Sequence, residues 1–281
     1  MQIREIDAAR IKETVRDLCM IATTELGEDV VGAIQAARAE EPSELGRDIL
    51  GQILKNADIA RQECSSLCQD AGMAVVFVEL GQDVHITGGD LRTAIDGGVK
   101  EGYHQGYLRP STLDPITRVN YGDNTPAIIH MDIVPGDKLK LDVLPKGFGG
   151  ENMSRVVLFH PAVGIAGAKD FVVQRVREAG ANACPPLLVG VGIGGNLEMA
   201  AEIAKRSLLR PLGQAHPRPD VAEIEADLFA RINRLGIGPQ GLGGRTTALA
   251  VHVEIYPTHI GSLPVAVNLQ CHSHRRRSAE L

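Results

Sequence analysis

The alternation of apolar and polar residues divides the chain into a helical first part and a longer part in which strands and helices alternate. The first helix is marked by apolar residues at helical spacing, namely Ile11, Val15, Leu18 and Ala22. Asp7 precedes them at the position of an N-cap. The same spacing predicts a second helix over residues 44–61. We therefore expect the N-terminal part, about residues 1–65, to be helical.

From residue 73 onward the chain shows short β-branched or alternating segments, which are typical of strands. We assign such strands to residues 73–80, 127–134, 138–144, 155–159, 186–192, 248–256 and 265–270. Further helices are expected near residues 168–179, over 197–209 and between 224 and 235. The sequence "PGD" between the second and third strands predicts a hairpin with one solvated face. The pattern as a whole predicts an α/β protein, with N-terminal helices followed by mixed β-sheets flanked by helices, in one domain over residues 1–281.

Composition and charge narrow the classes of function. The chain has 281 residues, of which 44% are hydrophobic, and a formal net charge of −6, which argues against nucleic acid as a partner. No apolar run reaches the roughly 18 residues of a membrane span, and the N-terminus lacks the apolar core of a signal peptide. We expect a cytoplasmic protein whose five cysteines stay reduced. The basic run at residues 275–277 is interpreted as a solvated end, and the alternative is a site for an anion or an acidic partner.

The segment "GVGIGG" has the glycine spacing of a dinucleotide-binding loop at Gly190, Gly192 and Gly195. The second strand that such a unit requires is missing, because the region about twenty residues further on reads "RPLGQAHPRPD". We therefore reject nicotinamide binding. The helix N-terminus expected after these glycines would still suit a carboxylate or a phosphate.

Three of the five cysteines lie where a predicted strand meets a polar or proline-bearing loop, namely Cys68, Cys184 and Cys271. Cys19 falls within the first helix and is interpreted as a core residue. Cys64 lies four residues before Cys68, which is weak evidence for a shared site. Three thiolates from distant parts of a chain suit either zinc with a fourth ligand or a four-iron four-sulfur cluster with one open iron. Spacing alone leaves both metals open.

Four segments in this order resemble the α subunit of two-subunit class I fumarate hydratases and the related L-tartrate dehydratase α subunit. They read "CQDAG", "NACPP", "RLGIGPQGLGG" and "HIGSLPVAVNLQC". The similarity runs from about residue 10 to residue 277, and the set of motifs is specific although each motif alone is not. The chain departs from the family at Ala71, where relatives carry threonine, and at Phe148 and Gly150 in the glycine loop. These departures leave the substrate open.

The resemblance implies a fold, a cofactor and a set of site residues. The fold is the N-terminal domain of iron–sulfur-dependent hydro-lyases, and the cofactor is a 4Fe-4S cluster with one open iron. The implied cluster ligands are Cys68, Cys184 and Cys271. The implied catalytic residues are Asp70 and His259, and the implied substrate contacts are Gln69, Arg109 and Gly149. Asp70 would protonate the leaving hydroxyl group, and His259 would orient Asp70 or the substrate.

The resemblance also implies a partner. Fused, single-chain members of the family carry a second domain, whose place would be taken here by a separate β subunit. That subunit would also supply the base for the C–H proton. The expected assembly is a hetero-oligomer that reversibly hydrates fumarate to L-malate, a small dicarboxylate. The alternatives are an L-tartrate dehydratase α subunit and, in a different class, a zinc-stabilised assembly subunit without chemistry.

Overall fold

The computed structural model describes residues 3–281, which divide into two compact units. In the described part of the chain, the first unit comprises residues 3–26, 56–147 and 275–281, and the second comprises 27–55 and 148–274. Each unit has its own four-stranded sheet and its own apolar core. The predicted mixed α/β architecture is therefore confirmed. The prediction of one catalytic domain stays a prediction, because compactness alone does not define a functional domain.

The helices and strands are described here in chain order. The helices are α1 (Ala8–Thr24), α2 (Glu28–Glu40), α3 (Glu44–Glu63), α4 (Leu91–Gln105), α5 (Phe148–Glu151), α6 (Gly164–Ala179), α7 (Leu197–Arg206) and α8 (Pro219–Asn233). The strands are β1 (Arg4–Asp7), β2 (Met73–Gly81), β3 (Val84–Thr87), β4 (Ile128–Val134), β5 (Leu139–Lys146), β6 (Arg155–Phe159), β7 (Leu187–Gly194), β8 (Ala248–Tyr256), β9 (Leu263–Gln270) and β10 (Arg277–Glu280). No helix within residues 3–281 is long and apolar enough to cross a membrane.

In the first unit, α1 and α4 pack on one face of a sheet with the strand order β10-β5-β2-β4. The predicted N-cap is confirmed, since the Asp7 carboxylate accepts a hydrogen bond from the N–H of Ala9 at 2.7 Å. The apolar positions predicted to face the core are all buried, namely Ile11, Val15, Leu18 and Ala22. Strands β1 and β3 form a separate parallel pair.

The predicted hairpin between β4 and β5 is wrong. Strand β2 lies between them, parallel to β4 and antiparallel to β5. The turn after β4 passes over the end of β2, where a Cβ atom on Gly81 would lie 2.4 Å from the carbonyl oxygen of Gly136. The alternation of apolar and polar residues predicts a strand with one face buried and one face solvated, but it does not predict which strand pairs with it. Here β2 pairs with both β4 and β5 and separates them.

Helix α4 lies in a region, residues 82–126, where the pattern predicted no element. Its glycines argue against a helix, since each costs about 1 kcal/mol relative to alanine. The structure shows why they are present: Cβ atoms on Gly98 and Gly102 would lie 2.5 and 2.8 Å from backbone oxygens of Lys12 and Arg16 in α1. Close packing of the two helices therefore outweighs local propensity.

The C-terminal segment is also different from the prediction. Residues 275–277 do not form a solvated end, because β10 pairs with β5 and Arg275 is only 1% exposed. Arg277 forms an ion pair with Glu25 at 3.3 Å. A terminal segment that completes a sheet loses the exposure that its charge suggests.

In the second unit, the sheet has the strand order β6-β9-β7-β8. Helices α6 and α8 cover one face and α7 covers the other. The glycines of "GVGIGG" serve this packing: Cβ atoms on Gly190 and Gly192 would each lie 2.1 Å from a backbone oxygen of α7. No strand lies between α7 and α8, which agrees with the rejection of a dinucleotide-binding unit.

Candidate active site

A short loop ahead of β2 carries three of the predicted site residues. Cys68 and Asp70 are half-buried and Gln69 is exposed. The Asp70 carboxylate accepts a hydrogen bond from the N–H of Gly72 at 3.0 Å, so the loop turns back on itself here. Gly72 has φ +80°, and a Cβ atom there would lie 2.6 Å from the carbonyl carbon of Lys146. Only glycine suits this position, which fixes the direction in which the chain enters β2.

Two buried side chains outside the motif hold this loop. The Tyr103 hydroxyl donates towards the carbonyl oxygens of Ala71 and Gly72, at 2.9 and 3.0 Å. Burial raises the pKa of Tyr103 well above its ordinary value, so the hydroxyl keeps its proton. The Asn124 amide is fully buried and donates to the Gly72 oxygen at 3.2 Å. Neither residue is visible in the sequence pattern, since both lie in the region without clear periodicity.

Asn124 also joins the loop to the segment that carries Arg109. Its Oδ1 accepts a hydrogen bond from the N–H of Ser111 at 2.7 Å. Asn124 therefore connects the two segments at Ser111, two residues after Arg109, and at Gly72, two residues after Asp70. In the described part of the chain, the side chains of Arg109 and Gln69 have no hydrogen bond or ion pair, and both are exposed. The first unit thus carries a thiol, an amide and a carboxylate on one loop and links that loop to the segment of Arg109.

Ala71, where relatives carry threonine, faces away from this site. It is fully buried and belongs to the apolar core of the first unit. Its side chain therefore packs in the core of the first unit.

The other two predicted ligands lie together at one end of the second unit's sheet. Cys184 precedes β7 and Cys271 follows β9, and these antiparallel strands pair Leu188 with Gln270. The N–H of His272 donates to the carbonyl oxygen of Cys184 at 3.4 Å. Strand register therefore brings the two cysteines to the same sheet end.

Cys184 adopts a left-handed backbone conformation, with φ 53° and ψ 66°. For a residue other than glycine this conformation costs on the order of 1 kcal/mol. Strain of this kind persists only where the surroundings impose it, and it is concentrated at functional sites.

The glycine loop packs against the same sheet end. Gly149 lies in α5, a single helical turn, and a Cβ atom there would lie 3.4 Å from the oxygen of Asn182. A Cβ atom on Gly150 would lie only 2.2 Å from the oxygen of Leu269. Backbone therefore packs directly on backbone here, and the exposed Gly149 lies beside the segments that lead to both cysteines.

Gln240 is a residue of this sheet end that the site prediction omitted. Its N–H and its side-chain amide both donate to the carbonyl oxygen of Pro185, at 2.8 and 2.9 Å. Its Nε2 also lies 3.0 Å from His272 Nδ1, which is 3.1 Å from the Cys184 oxygen. Depending on its tautomer, Nδ1 donates to Cys184 or accepts from Gln240. The motif "RLGIGPQGLGG" contains Gln240, so the family resemblance is the signal that locates it.

A buried carboxylate anchors the segment after Gln240. Glu41 is 2% exposed and accepts hydrogen bonds from the N–H groups of Arg245 and Thr246 and from the Thr246 hydroxyl. Burial by itself would raise the pKa of Glu41, but these hydrogen bonds hold the pKa below its ordinary value. The ionised side chain therefore fixes a glycine-rich segment that has no regular structure of its own.

His259 lies at the opposite end of the second unit's sheet from Cys184 and Cys271. It follows β8, at the end where β7 leads into α7, and it is exposed. The eight residues of β7 separate the two ends by roughly 25 Å. The helix N-terminus expected to suit an anion lies at the His259 end, where Asn196 caps α7 at 2.9 Å. The second unit therefore does not bring His259 to the two cysteines.

The thiols differ in their surroundings. Cys19 is fully buried in the core, which raises its pKa to about 12 and keeps it protonated. The three predicted ligands are partly exposed, and none of the five cysteines forms a disulfide. Among residues 3–281, no three or more His, Cys, Asp and Glu side chains are grouped closely enough to hold a metal ion. The assignment of the three cysteines to one metal centre therefore stays a prediction.

Comparisons with known proteins agree with the motifs. The model of the fumarate hydratase (Fumerase) family matches residues 12–280. A protein of Methanocaldococcus jannaschii named "Putative L(+)-tartrate dehydratase subunit alpha" is 38% identical over 275 residues, covering 95% of this chain and 96% of that protein. The L(+)-tartrate dehydratase subunit alpha of Escherichia coli strain K12 is 33% identical over 271 residues, covering 95% and 89%.

These matches define the class as hydro-lyases, enzymes that add water to a double bond or remove it. The chain belongs to the fumarate hydratase (Fumerase) family, as the four motifs indicated.

Proposed function

We propose that the chain is the iron–sulfur α subunit of a cytoplasmic hydro-lyase that reversibly hydrates fumarate to L-malate together with a β subunit. The observation that carries this proposal is the group of Gln69, Asp70 and Arg109 in the first unit, tied together through Asn124 next to the Cys68 thiol. It supplies recognition and proton transfer for a small dicarboxylate. The names of the relatives as α subunits support the existence of a β subunit and a hetero-oligomer.

The residues of the first unit have separate roles in this proposal. The Arg109 guanidinium binds a substrate carboxylate through two parallel hydrogen bonds. The Gln69 amide donates and accepts hydrogen bonds without adding charge. Asp70, held by the N–H of Gly72, gives a proton to the leaving hydroxyl group or takes it back in hydration. The base that takes the C–H proton comes from the β subunit.

The proposed cofactor is a 4Fe-4S cluster with one open iron, held by Cys68, Cys184 and Cys271. The donor set fits such a group, because three partly exposed thiols without disulfides are soft ligands suited to iron–sulfur clusters. When bound, the open iron would act as a Lewis acid that stabilises negative charge on a substrate oxygen. Gly149 remains a proposed substrate contact and His259 a proposed active-site residue.

A second candidate is the L-tartrate dehydratase α subunit, which the names of the two relatives described above favour. Both reactions remove water from a hydroxy-dicarboxylate, so the residues above serve either. The fully buried Ala71 does not discriminate between them.

The test of the cofactor is anaerobic purification of the chain with its β subunit, followed by metal analysis. We expect a brown protein with about four irons and four sulfides per chain. Cys184→Ser and Cys271→Ser are expected to lose iron, whereas Cys64→Ser, a change at an exposed thiol near Cys68, retains it. A colourless protein with one zinc would overturn the cluster and favour an assembly subunit.

The test of the reaction follows fumarate, malate and tartrate by absorbance with the same preparation. Hydration of fumarate with negligible turnover of tartrate supports the first candidate, and the reverse supports the second. Asp70→Asn is expected to lower kcat by about 100-fold or more, because it removes the proton donor. Full activity of this chain without a β subunit would contradict the two-subunit proposal.

A further inference from the structure

Arg275 is the most deeply buried charged side chain of the C-terminal segment. Its exposed fraction is 1%, although its neighbours in sequence are two further arginines near the end of the chain. Its Nη1 donates a hydrogen bond to the carbonyl oxygen of Asp70. The guanidinium therefore touches the backbone of the residue that we propose as the proton donor.

The side chains of Arg275 and Asp70 also both approach Gly147. A Cβ atom at Gly147 would lie 2.7 Å from Arg275 Nη2 and 3.2 Å from Asp70 Oδ2. A guanidinium nitrogen and a carboxylate oxygen thus both approach the space that any larger residue would fill. A larger residue here would have to displace the ends of the two charged side chains.

Burying the charged Arg275 side chain costs free energy, and its hydrogen bonds offset only part of that cost. Arg275 Nε is buried and has no hydrogen-bond partner in the described part of the chain. A buried guanidinium with an unused donor is less stable than a well-packed apolar residue of similar volume. The fold therefore retains this arginine at a position where packing alone would favour another residue.

We propose that Arg275 is a positioning residue for Asp70. It fixes the Asp70 carbonyl with one nitrogen and places a second nitrogen near the carboxylate, so that the backbone and the acid are held by one rigid planar group. Lysine offers a single ammonium and would hold only one of the two. This role rests on the proposed function of Asp70, and Arg275 itself need not touch substrate.

The first test measures the loop directly, without activity. Hydrogen–deuterium exchange of the full chain is followed for residues 68–72 in Arg275→Gln and in Arg277→Gln, a control at the neighbouring arginine that pairs with Glu25. We expect exchange of this segment to be at least tenfold faster in Arg275→Gln and unchanged in Arg277→Gln. Wild-type exchange in Arg275→Gln would overturn the proposal.

The second test measures kcat and KM separately in the complete enzyme with its β subunit. A misplaced acid is expected to lower kcat by about 100-fold in Arg275→Gln while KM changes less than threefold and the iron content stays that of the wild type. Arg275→Lys is expected to recover part of kcat, and Arg277→Gln to resemble the wild type. A rise in KM together with a loss of iron, with kcat preserved, would overturn the positioning role.

Failure of this inference and failure of the proposed function give different results. If the wild type is active and Asp70→Asn is inactive, but Arg275→Gln is fully active, only the positioning role fails. If the wild type turns over none of the dicarboxylates, the proposed function fails, and the exchange experiment still decides whether Arg275 holds the loop.

A variant that leaves Arg275 in place covers the case in which Arg275→Gln does not fold. Gly147→Ala adds a methyl group 2.7 Å from Arg275 Nη2 and 3.2 Å from Asp70 Oδ2, so both side chains must shift, and we expect the same loss of kcat and the same faster exchange of residues 68–72. Gly32→Ala is the control, because no atom lies within 4 Å of its added methyl group. Wild-type kcat and exchange in Gly147→Ala would overturn the proposal.

Discussion

The two regions that carry the candidate site residues are held in different ways. The loop at residues 68–72 is held by long side chains from distant parts of the first unit, namely Tyr103, Asn124 and Arg275. The sheet end with Cys184 and Cys271 is held by strand register and by glycine backbone packed on backbone. The difference teaches that side chains make most of the long-range contacts to the loop of the proposed acid, whereas backbone contacts predominate around these two thiols. The loss of one functional group should therefore disturb the first arrangement, and the addition of one methyl group should have its largest effect in the second.

The largest effect is expected from Gly150→Ala at the sheet end. The added methyl carbon would lie 2.2 Å from a backbone oxygen of β9, which cannot move as a flexible side chain does. We expect a loss of about 3 kcal/mol in the free energy of unfolding, measured by denaturant titration. Gly32→Ala, with open space around it, should instead gain about 1 kcal/mol. Equal changes in the free energy of unfolding of the two variants would contradict the close packing of Gly150 on the backbone of β9.

The next effect concerns Glu41, which anchors the segment after Gln240. We expect Glu41→Gln to lower the free energy of unfolding by about 2 kcal/mol at neutral pH, because the hydrogen bonds to a charged carboxylate are lost. The folded-state pKa of Glu41 lies below its ordinary value of 4.5. Its contribution is therefore fully present above pH 4.5 and is lost as the pH falls through the folded-state pKa.

The pH dependence supplies the check on Glu41. The difference in unfolding free energy between wild type and Glu41→Gln should shrink as the pH is lowered from 6 to 3. Glu40→Gln changes an exposed neighbour and should show no such trend. A difference that stays constant over this range would show that the effect of Glu41 does not depend on its charge.

A smaller effect is expected from Tyr103→Phe, which removes one hydroxyl from the loop at residues 68–72. The Ala71 carbonyl oxygen loses this donor and the Gly72 oxygen keeps only the Asn124 amide, at a cost of about 1.5 kcal/mol in the free energy of unfolding. Exchange of the Gly72 amide should become faster. Tyr121→Phe is the control, because its ring is half exposed and its hydroxyl has no hydrogen bond in the described chain. Equal costs for the two variants would contradict the side-chain anchoring of this loop.

The smallest effect is expected from His259→Asn. His259 is exposed and lies at the far end of the second unit's sheet from Cys184 and Cys271. We expect kcat in the complete enzyme to fall less than tenfold, against about 100-fold or more for Asp70→Asn. A loss as large as that of Asp70→Asn would show that His259 does more than orient Asp70 or the substrate.

The elements with strong periodicity were predictable, and those shaped by contacts were not. Helix α1 with its Asp7 cap and strand β8 follow from spacing alone. Helix α4 does not, because Gly98 and Gly102 weaken its helical signal and become favourable only against α1. The false hairpin has the same origin, since nothing in the alternation of β4 and β5 reveals that β2 lies between them.

The candidate site divides in the same way. The motifs locate Cys68, Gln69 and Asp70, because a family resemblance is carried by short segments. They do not locate Arg275, whose charge and position near the chain end are typical of exposed residues. Only its burial beside Asp70 gives it a role.

By itself, the sequence determined the α/β class, the family and the loop at residues 68–72, because apolar periodicity and short motifs are local properties. The tertiary structure alone decided that Ala71 faces the core, that "GVGIGG" serves helix packing and that the C-terminal arginines complete the first unit. Each of these depends on which distant segment lies opposite a residue. That is set by the burial of apolar surface and the pairing of strands over the whole unit.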